Sequence, residues 1–224
     1  MSQDAQTRFD REEPAPGGDR PHGRIFQDIA MLTLLRPSAD RIAKTLGLHA
    51  KRRASLGEAL EGRMLEIGAG LAALSLGLAK QFPTARFTAI DNDSGAAAVA
   101  RLHVAASGFT SRFSVRLRDV IHVDEQAVYT AAWLPAPFLS RQAAKTALDR
   151  LTLAIAPRGF LIIGNVLPLG DDAATAATGA RLLRSAGHVW RSEELADILI
   201  PRGYREIERV PCADDLELSV ARRS

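Results

Sequence analysis

Two glycines and an acid between residues 64 and 93 have the spacing of a unit that binds a nucleotide-like cofactor. The stretch reads MLEIGAGLAALSLGLAKQFPTARFTAIDND, with Gly68 and Gly70 after one apolar run and Asp91 at the end of another. Asp91 follows Gly68 by 23 residues, which is typical of a strand, glycine turn, helix, strand and ribose-binding acid. The pattern therefore predicts either a nicotinamide dinucleotide or S-adenosylmethionine.

The acids around the glycines favour S-adenosylmethionine. Read alone, the run from Gly68 to Ala73 fits G-x-G-x-x-G/A, which also predicts a dinucleotide site, and the glycines could merely form a tight turn. Glu66 lies two residues before the first glycine, and a buried carboxylate there suits a cofactor with a cationic amino group and no phosphate. Asp119, at the end of a predicted strand, could accept a hydrogen bond from an adenine amino group.

Apolar runs and helical patterns alternate along the chain and predict the elements that hold these acids. Strands are predicted at residues 64–67, 87–90, 113–117, 127–133, 160–164, 204–210 and 216–220, and helices at 71–81, 94–108, 142–155 and 192–200, with Ser94 and Ser192 as N-caps. This alternation predicts an α/β fold with a Rossmann-like, doubly wound, seven-stranded sheet. Residues 211–215 are too few for a parallel crossover, so the last strand is predicted to be antiparallel, unlike the ordinary dinucleotide fold.

Upstream of the sheet, the chain is predicted to form a tail and a helical lead. Residues 1–23 are polar and rich in Pro and Gly, which predicts a disordered tail. Residues 24–60 form the lead, with one helix that begins at Pro37 and stops at Gly47. Residues 61–224 are the predicted cofactor-binding domain.

Composition limits the class of protein. The chain has 224 residues, of which 46% are hydrophobic, enough for one domain with a core. The net charge is only +3, so nucleic acid is not an expected partner. Cys212 is the only cysteine, which excludes an intramolecular disulfide and fits a cytoplasmic protein. No apolar run has the length of a membrane span, so no membrane association is predicted.

Five stretches resemble, in order, the motifs of class I S-adenosylmethionine-dependent methyltransferases. LEIGAGLAALS resembles the glycine-rich motif I, FTAIDND the ribose-binding motif, and RLRDV the adenine-contacting motif. IAPRGFLII resembles the turn before the fifth strand, and SEELADILIPRGYREIERVP the later helix–strand segment. The resemblance covers residues 60–222. The sequence departs from it at Ala72 and Arg158, where the family has glycines.

The resemblance implies S-adenosylmethionine as the cofactor and gives its contacts. The residues implied to bind it are Glu66, Gly68, Ala69, Gly70, Asp91, Asn92, Asp119 and Val120. In this assignment, Glu66 supports the glycine loop at the methionine end. Asp91, with Asn92 beside it, binds the ribose hydroxyls. Asp119 holds the adenine amino group, and Val120 packs against the ring.

The acceptor side is predicted from the few side chains that could serve it. His188, before the predicted last helix, is the first candidate for a general base, and His122 is the second. Trp133 and Phe138 could form an apolar wall for an aromatic acceptor. The segment LPAPF lacks the polar-Pro-Pro-aromatic motif of enzymes that methylate nucleic-acid bases or protein glutamine, so a small molecule is expected.

The predicted function is methyl transfer to an O or N atom of a small molecule, as in secondary metabolism. A catechol-type metal site would need oxygen ligands after strands four and five, and Asn165 with Asp171 and Asp172 form an incomplete set, so no metal is predicted. Two alternatives stay open, an NAD(P)-dependent oxidoreductase and a cofactor-binding scaffold without methyl transfer. A homodimer through apolar faces of the lead helices is also open.

Overall fold

A computed structural model of the chain describes residues 38–166, 188–213 and 216–224. The predicted tail, the first part of the helical lead, and Asp171 with Asp172 lie outside the described residues. Residues 38–60 of the lead are helical.

One sheet of seven strands organises the described residues. The strands are β1 Arg63–Ile67, β2 Arg86–Asp91, β3 Phe113–Leu117, β4 Tyr129–Pro135, β5 Ile155–Val166, β6 Tyr204–Ala213 and β7 Leu216–Arg223. Their order is β3-β2-β1-β4-β5-β7-β6, and β7 runs antiparallel to both of its neighbours. The other pairs are parallel. This arrangement confirms the predicted Rossmann-like class and its antiparallel last strand.

Six helices are described around the sheet. They are α1 at residues 38–52, α2 Ala54–Leu60, α3 Ala73–Ala79, α4 Ser94–Ser107, α5 Arg141–Ala154 and α6 Ser192–Leu199. The predicted stop at Gly47 is wrong, because α1 continues through it. Leu46 and Ala50 are buried on either side of the glycine, and this packing outweighs the cost of about 1 kcal/mol for glycine in a helix. None of the described helices is long and apolar enough to cross a membrane.

Two predicted helix caps are also corrected. The N-cap of α4 is Asp93 rather than Ser94, because the Asp93 carboxylate accepts the backbone N–H groups of Gly95 at 2.8 Å and Ala96 at 3.0 Å. Ser94 is the first residue of that helix. At α6 the N-cap is Arg191, without a side-chain cap hydrogen bond, and Ser192 is the first helical residue.

The start of β5 differs from its prediction as well. The chain enters the strand at Ile155, directly from α5, and Ile155 pairs with Tyr129 of β4. The predicted turn at residues 157–159 is an irregularity within the strand, where Arg158 has φ of 67°. Gly159 is required there because a Cβ would lie 2.8 Å from the Thr130 carbonyl oxygen.

Alternate residues of the central strands face two separate cores. Met64 and Trp133 pack with residues of α1, α2 and α3, whereas Leu65, Ile67 and Leu134 pack with residues of α5 and α6. Strands that are buried on both faces read as continuous apolar runs. Because β1, β2, β3, β4 and β5 run parallel, their carboxyl ends meet along one edge of the sheet. Ligands bind at this edge in open α/β sheets.

Gly164 makes room for the indole of Trp133, and we predict that Gly164→Ala destabilises the fold. A Cβ at this position would lie 2.3 Å from Cη2 of Trp133, and such overpacking costs about 1–3 kcal/mol in unfolding free energy. Urea denaturation measures this loss. Trp133→Phe removes the clashing ring, so the double variant should lose less than the sum of the single losses. Strict additivity would contradict the contact.

Candidate cofactor-binding site

The loop after β1 takes its shape from three residues in the left-handed region. Gly68, Gly70 and Ala72 have φ of 64°, 54° and 53°. The glycines adopt this conformation without steric cost, whereas an alanine there costs roughly 1–2 kcal/mol. Ala72 is fully buried, so the fold accommodates its methyl group where the family has glycine. The backbone N–H of Ala69 donates to the Ile90 carbonyl at 3.0 Å and fastens the loop to β2.

Asp91, the last residue of β2, connects this loop to the start of α4. Its Oδ2 accepts the backbone N–H of Gly70 at 2.8 Å, and its Oδ1 accepts that of Asp93 at 2.9 Å. Burial raises the pKa of the Asp91 carboxyl, and the hydrogen bonds from Asp93 and Gly70 offset part of that rise. The predicted ribose-binding acid therefore lies beside the predicted glycine loop.

Glu66 lies beneath the loop and is almost completely buried, at 3% exposure. The hydroxyl of Ser75, in α3, donates to Oε2 of Glu66. Burial raises the pKa of Glu66 to about 7, the Ser75 hydrogen bonds oppose that rise, and the charge of Asp91 adds to it. Glu66 thus joins β1 to the helix that follows the loop, which is a structural basis for the supporting role predicted for it.

The ends of β2 and β3 are joined at the predicted adenine position. The side-chain N–H of Asn92 donates to Oδ2 of Asp119 at 3.3 Å. Asp119 also accepts the backbone N–H of Ile121 at 3.0 Å, which begins a short 3-10 helix at Val120–His122. Val120 is buried against the core. Asp119 and the exposed Asn92 lie next to Asp91 along the same edge of the sheet.

Three side chains that hold this edge were not predicted from the sequence. Ser75 donates to Glu66. This contact could have been predicted, because a hydroxyl near the start of a helix follows a buried acid. Nδ1 of His103 lies 3.2 Å from the Leu71 carbonyl oxygen, so α4 contacts the glycine loop. Arg118 binds Glu125 at 3.1 Å and fixes the segment after β3. No local pattern in the sequence predicts the last two contacts.

Of the two predicted wall residues, only Phe138 is substantially exposed. Phe138, just after β4, is 40% exposed, whereas Trp133 is 6% exposed and packs in the core. Trp133 precedes Pro135, the last residue of β4, and Phe138 follows it.

The end of β5 carries a second polar cluster. Asn165 is buried, its Oδ1 accepts the backbone N–H of Trp190 at 3.3 Å, and its Nδ2 donates to the Trp190 carbonyl.

Nε2 of His188 lies 3.3 Å from Oε2 of Glu194. Burial and the nearby charge of Arg141 lower the pKa of His188. His122 lies at the other side of the sheet, exposed after β3.

Comparison with known proteins identifies the central segment. The family model described as methyltransferase small domain matches residues 53–161. This segment is therefore similar to the domains that this family model describes. None of the curated proteins matches the chain. Within residues 38–166, 188–213 and 216–224, no group of three or more His, Cys, Asp or Glu side chains could hold a metal ion.

Several solved structures share the fold of this chain. The mitomycin 7-O-methyltransferase MmcR has a TM-score of 0.74 and 20% identity over 90% of this chain and 57% of its own. The riboflavin-analogue dimethyltransferase RosA from Streptomyces davawensis has 0.71 and 20% over 92% and 60%. Human N-acetylserotonin methyltransferase, in complex with S-adenosylmethionine, has 0.71 and 14% over 89% and 56%. These identities show a shared fold, and the chain spans less than two thirds of each structure.

We predict that Glu66 makes the stability of the folded protein fall as the pH rises. The folded protein keeps the Glu66 proton up to about pH 7, whereas the unfolded chain releases it near the ordinary value of 4.5. The resulting contribution is complete below pH 4.5 and is lost as the pH rises through 7, a change of about 3 kcal/mol in unfolding free energy.

Glu66→Gln tests this linkage because the amide oxygen can still accept the Ser75 hydroxyl. Relative to the wild type, the variant should gain about 3 kcal/mol in unfolding free energy between pH 4.5 and pH 8, measured by urea denaturation. Glu58→Gln, at an exposed position of α2, is the control. Parallel stability curves for Glu66→Gln and the wild type would contradict the cost of burying this carboxylate.

Proposed function

We propose that the chain transfers a methyl group from S-adenosylmethionine to an O or N atom of a small molecule. The observation that carries the proposal is the use of the backbone N–H groups in the glycine loop. The N–H of Gly70 donates to Asp91 and that of Ala69 donates to Ile90. A dinucleotide site needs such groups free at the helix N-terminus for its pyrophosphate. Here the loop instead borders carboxylates, which suit a cofactor with a cationic amino group and no phosphate.

The donor set along the edge fits the parts of this cofactor. In the proposed arrangement, Gly68, Ala69 and Gly70 line the methionine end, with Glu66 as support below them. Asp91 already accepts two backbone N–H groups. A carboxylate has about four lone-pair sites, so it can accept two ribose hydroxyls as well.

The adenine end belongs at β3 in this proposal. Asp119 would accept the adenine amino group, and Asn92, which binds Asp119 at 3.3 Å, keeps that carboxylate beside Asp91. Val120 would pack beneath the ring. Adenine, ribose and methionine would then follow β3, β2 and β1, so that the methyl group points toward β4 and β5.

The acceptor side would consequently lie at the ends of β4 and β5. When bound, S-adenosylmethionine supplies an activated sulfonium methyl group; the chain itself orients the acceptor, excludes water and takes its proton. Phe138 would form an apolar wall, whereas Trp133, the other predicted wall residue, is buried in the core. The similar structures include methyltransferases named for mitomycin and a riboflavin analogue, which supports an aromatic or heterocyclic acceptor.

Of the two candidate bases, His188 is the better placed for this acceptor side. It lies two residues from Trp190, which is bound to Asn165 at the end of β5. His122 follows β3, at the proposed adenine end.

The proposal also includes a cytoplasmic location, which the single cysteine supports. A homodimer through the lead is supported by the exposed Leu48 of α1.

Calorimetric titration tests the cofactor. We expect S-adenosylmethionine to bind with a Kd on the order of 1–100 µM, and NADH not to bind. Asp91→Ala should weaken binding by at least ~10-fold, because charge-assisted hydrogen bonds to the ribose are lost. Asp149→Ala, which removes an exposed acid of α5, is the matched control. Binding of NADH alone would overturn the proposal, and binding of neither would indicate a degenerate cofactor site or a missing partner.

Turnover tests the base. Release of S-adenosylhomocysteine is measured with a panel of phenols, hydroxyquinones and aromatic amines. We expect His188→Gln to lower kcat by about 100-fold on a phenolic acceptor, because a general base contributes that much for weak nucleophiles, without changing the Kd of the cofactor. His122→Gln should leave kcat unchanged. The opposite ranking would show that the base lies after β3.

A further inference from the structure

His188 is surrounded by side chains from two different helices. Oε2 of Glu194, in the first turn of α6, lies 3.3 Å from Nε2 of His188. Arg141, the first residue of α5, pairs with the other carboxylate oxygen of Glu194. The imidazole meets the ring of Trp190 edge-on, with 4.8 Å between ring centroids and 89° between planes. The histidine is therefore held by a ring contact with Trp190 and by Glu194 at one nitrogen.

Trp190 is in turn fixed to the sheet. Asn165 binds both its backbone N–H and its carbonyl, so the segment that carries His188 is tied to the end of β5. The guanidinium of Arg141 lies 5.8 Å from the centre of the Trp190 ring, within the range of a cation–π contact. These contacts leave the imidazole little freedom to rotate.

We propose that Glu194 and Arg141 are positioning residues that prepare His188 as the base for the proposed methyl transfer. Glu194 accepts the Nε2 proton of His188, which selects the tautomer that has its free lone pair on Nδ1. Arg141 neutralises Glu194, so that this carboxylate does not draw a second proton onto the ring. The inference rests on the proposed function and extends it to two residues outside the cofactor site.

The charges around His188 explain why Arg141 is needed. A carboxylate alone beside a histidine favours the charged imidazolium, which could not accept a proton. The guanidinium of Arg141 offsets that charge, and together with burial it lowers the pKa of His188. In the described part of the chain, Arg141 of α5 and Glu194 of α6 are the charged groups in contact with this histidine or with its partner.

The proposed step balances in protons and electrons. The acceptor O–H bond breaks and its proton goes to Nδ1, while the oxygen lone pair forms a bond to the methyl carbon. The carbon–sulfur bond breaks, its electron pair stays on sulfur, and a neutral thioether remains. The imidazolium keeps its Nε2 proton, which stays hydrogen-bonded to Glu194. It returns the new proton from Nδ1 to water, which is feasible because the His188 side chain is 34% exposed.

Nuclear magnetic resonance can observe this arrangement without any substrate. Long-range proton–nitrogen correlation of 15N-labelled full-length protein reports the tautomer of each histidine, and His188→Gln assigns the signal. We expect His188 to carry its proton on Nε2. Glu194→Ala should produce a mixture of tautomers, whereas Glu193→Ala, an exposed neighbour in the same helical turn, should not. A Nδ1–H tautomer in the wild type would overturn the proposal.

Titration of the same signal tests Arg141. Arg141→Gln should move the titration midpoint of His188 to higher pH, because Glu194 is no longer neutralised. Arg150→Gln, an exposed residue on the same helix, is the matched control. An unchanged midpoint in Arg141→Gln would overturn the proposal.

The kinetic profile connects the arrangement to turnover. The acidic limb of kcat/KM on a phenolic acceptor should shift with the midpoint of His188 in Arg141→Gln, and a limb that does not shift would overturn the positioning role. The failure of the proposed function has a different signature. In that case S-adenosylmethionine does not bind in the calorimeter, although the tautomer and midpoint respond to Glu194 and Arg141.

Discussion

The carboxylate of Asp91 accepts backbone N–H groups from two separate loops, and the whole cofactor edge depends on these hydrogen bonds. One comes from Gly70, after β1, and the other from Asp93, which caps α4. The chain thereby fixes the glycine loop, the end of β2 and the start of α4 with one side chain. Since two of its lone-pair sites remain, the same group can hold the loop and bind a ligand.

Charge then determines which ligand suits this edge. Two acids, Asp91 and Asp119, lie at or near the ends of the adjacent strands β2 and β3, and Arg118 is occupied by acids of its own segment. Two loop N–H groups that could attract a phosphate, those of Ala69 and Gly70, are bonded internally. A phosphate would thus meet acidic side chains and fewer free donors, whereas a cationic amino group and ribose hydroxyls would find acceptors. The proposal of S-adenosylmethionine follows from this pattern.

Local signals in the sequence were enough for the strand pattern and the acids of the cofactor edge. The seven strands follow from apolar runs, and the antiparallel β7 follows from a connection too short for a crossover. Asp91 could be predicted because its distance from Gly68 in the chain is set by one strand–helix–strand unit. The geometry around Gly70 could not, since it depends on how the two strands pack.

Contacts between distant segments escaped prediction for the same reason. The pairing of Arg141 with Glu194 joins two helices that are separated by a strand and by the residues after it. Burial of Leu46 and Ala50 extends α1 past Gly47, although propensity alone predicts a stop. Asp93 caps α4 in place of its neighbour Ser94 because its oxygen reaches two N–H groups. The first two outcomes were decided by packing between segments, whereas the cap was a local choice between two neighbouring residues that both have good capping propensity.

A crystal structure of the full chain with bound S-adenosylhomocysteine would show whether Asp91 holds the loop and the ribose together. We expect both ribose hydroxyls within about 3.2 Å of the Asp91 carboxylate, the adenine amino group on Asp119, and the N–H of Gly70 still bonded to Asp91. Ribose hydroxyls bound elsewhere, or a Gly70 N–H turned away from Asp91 toward the ligand, would contradict it.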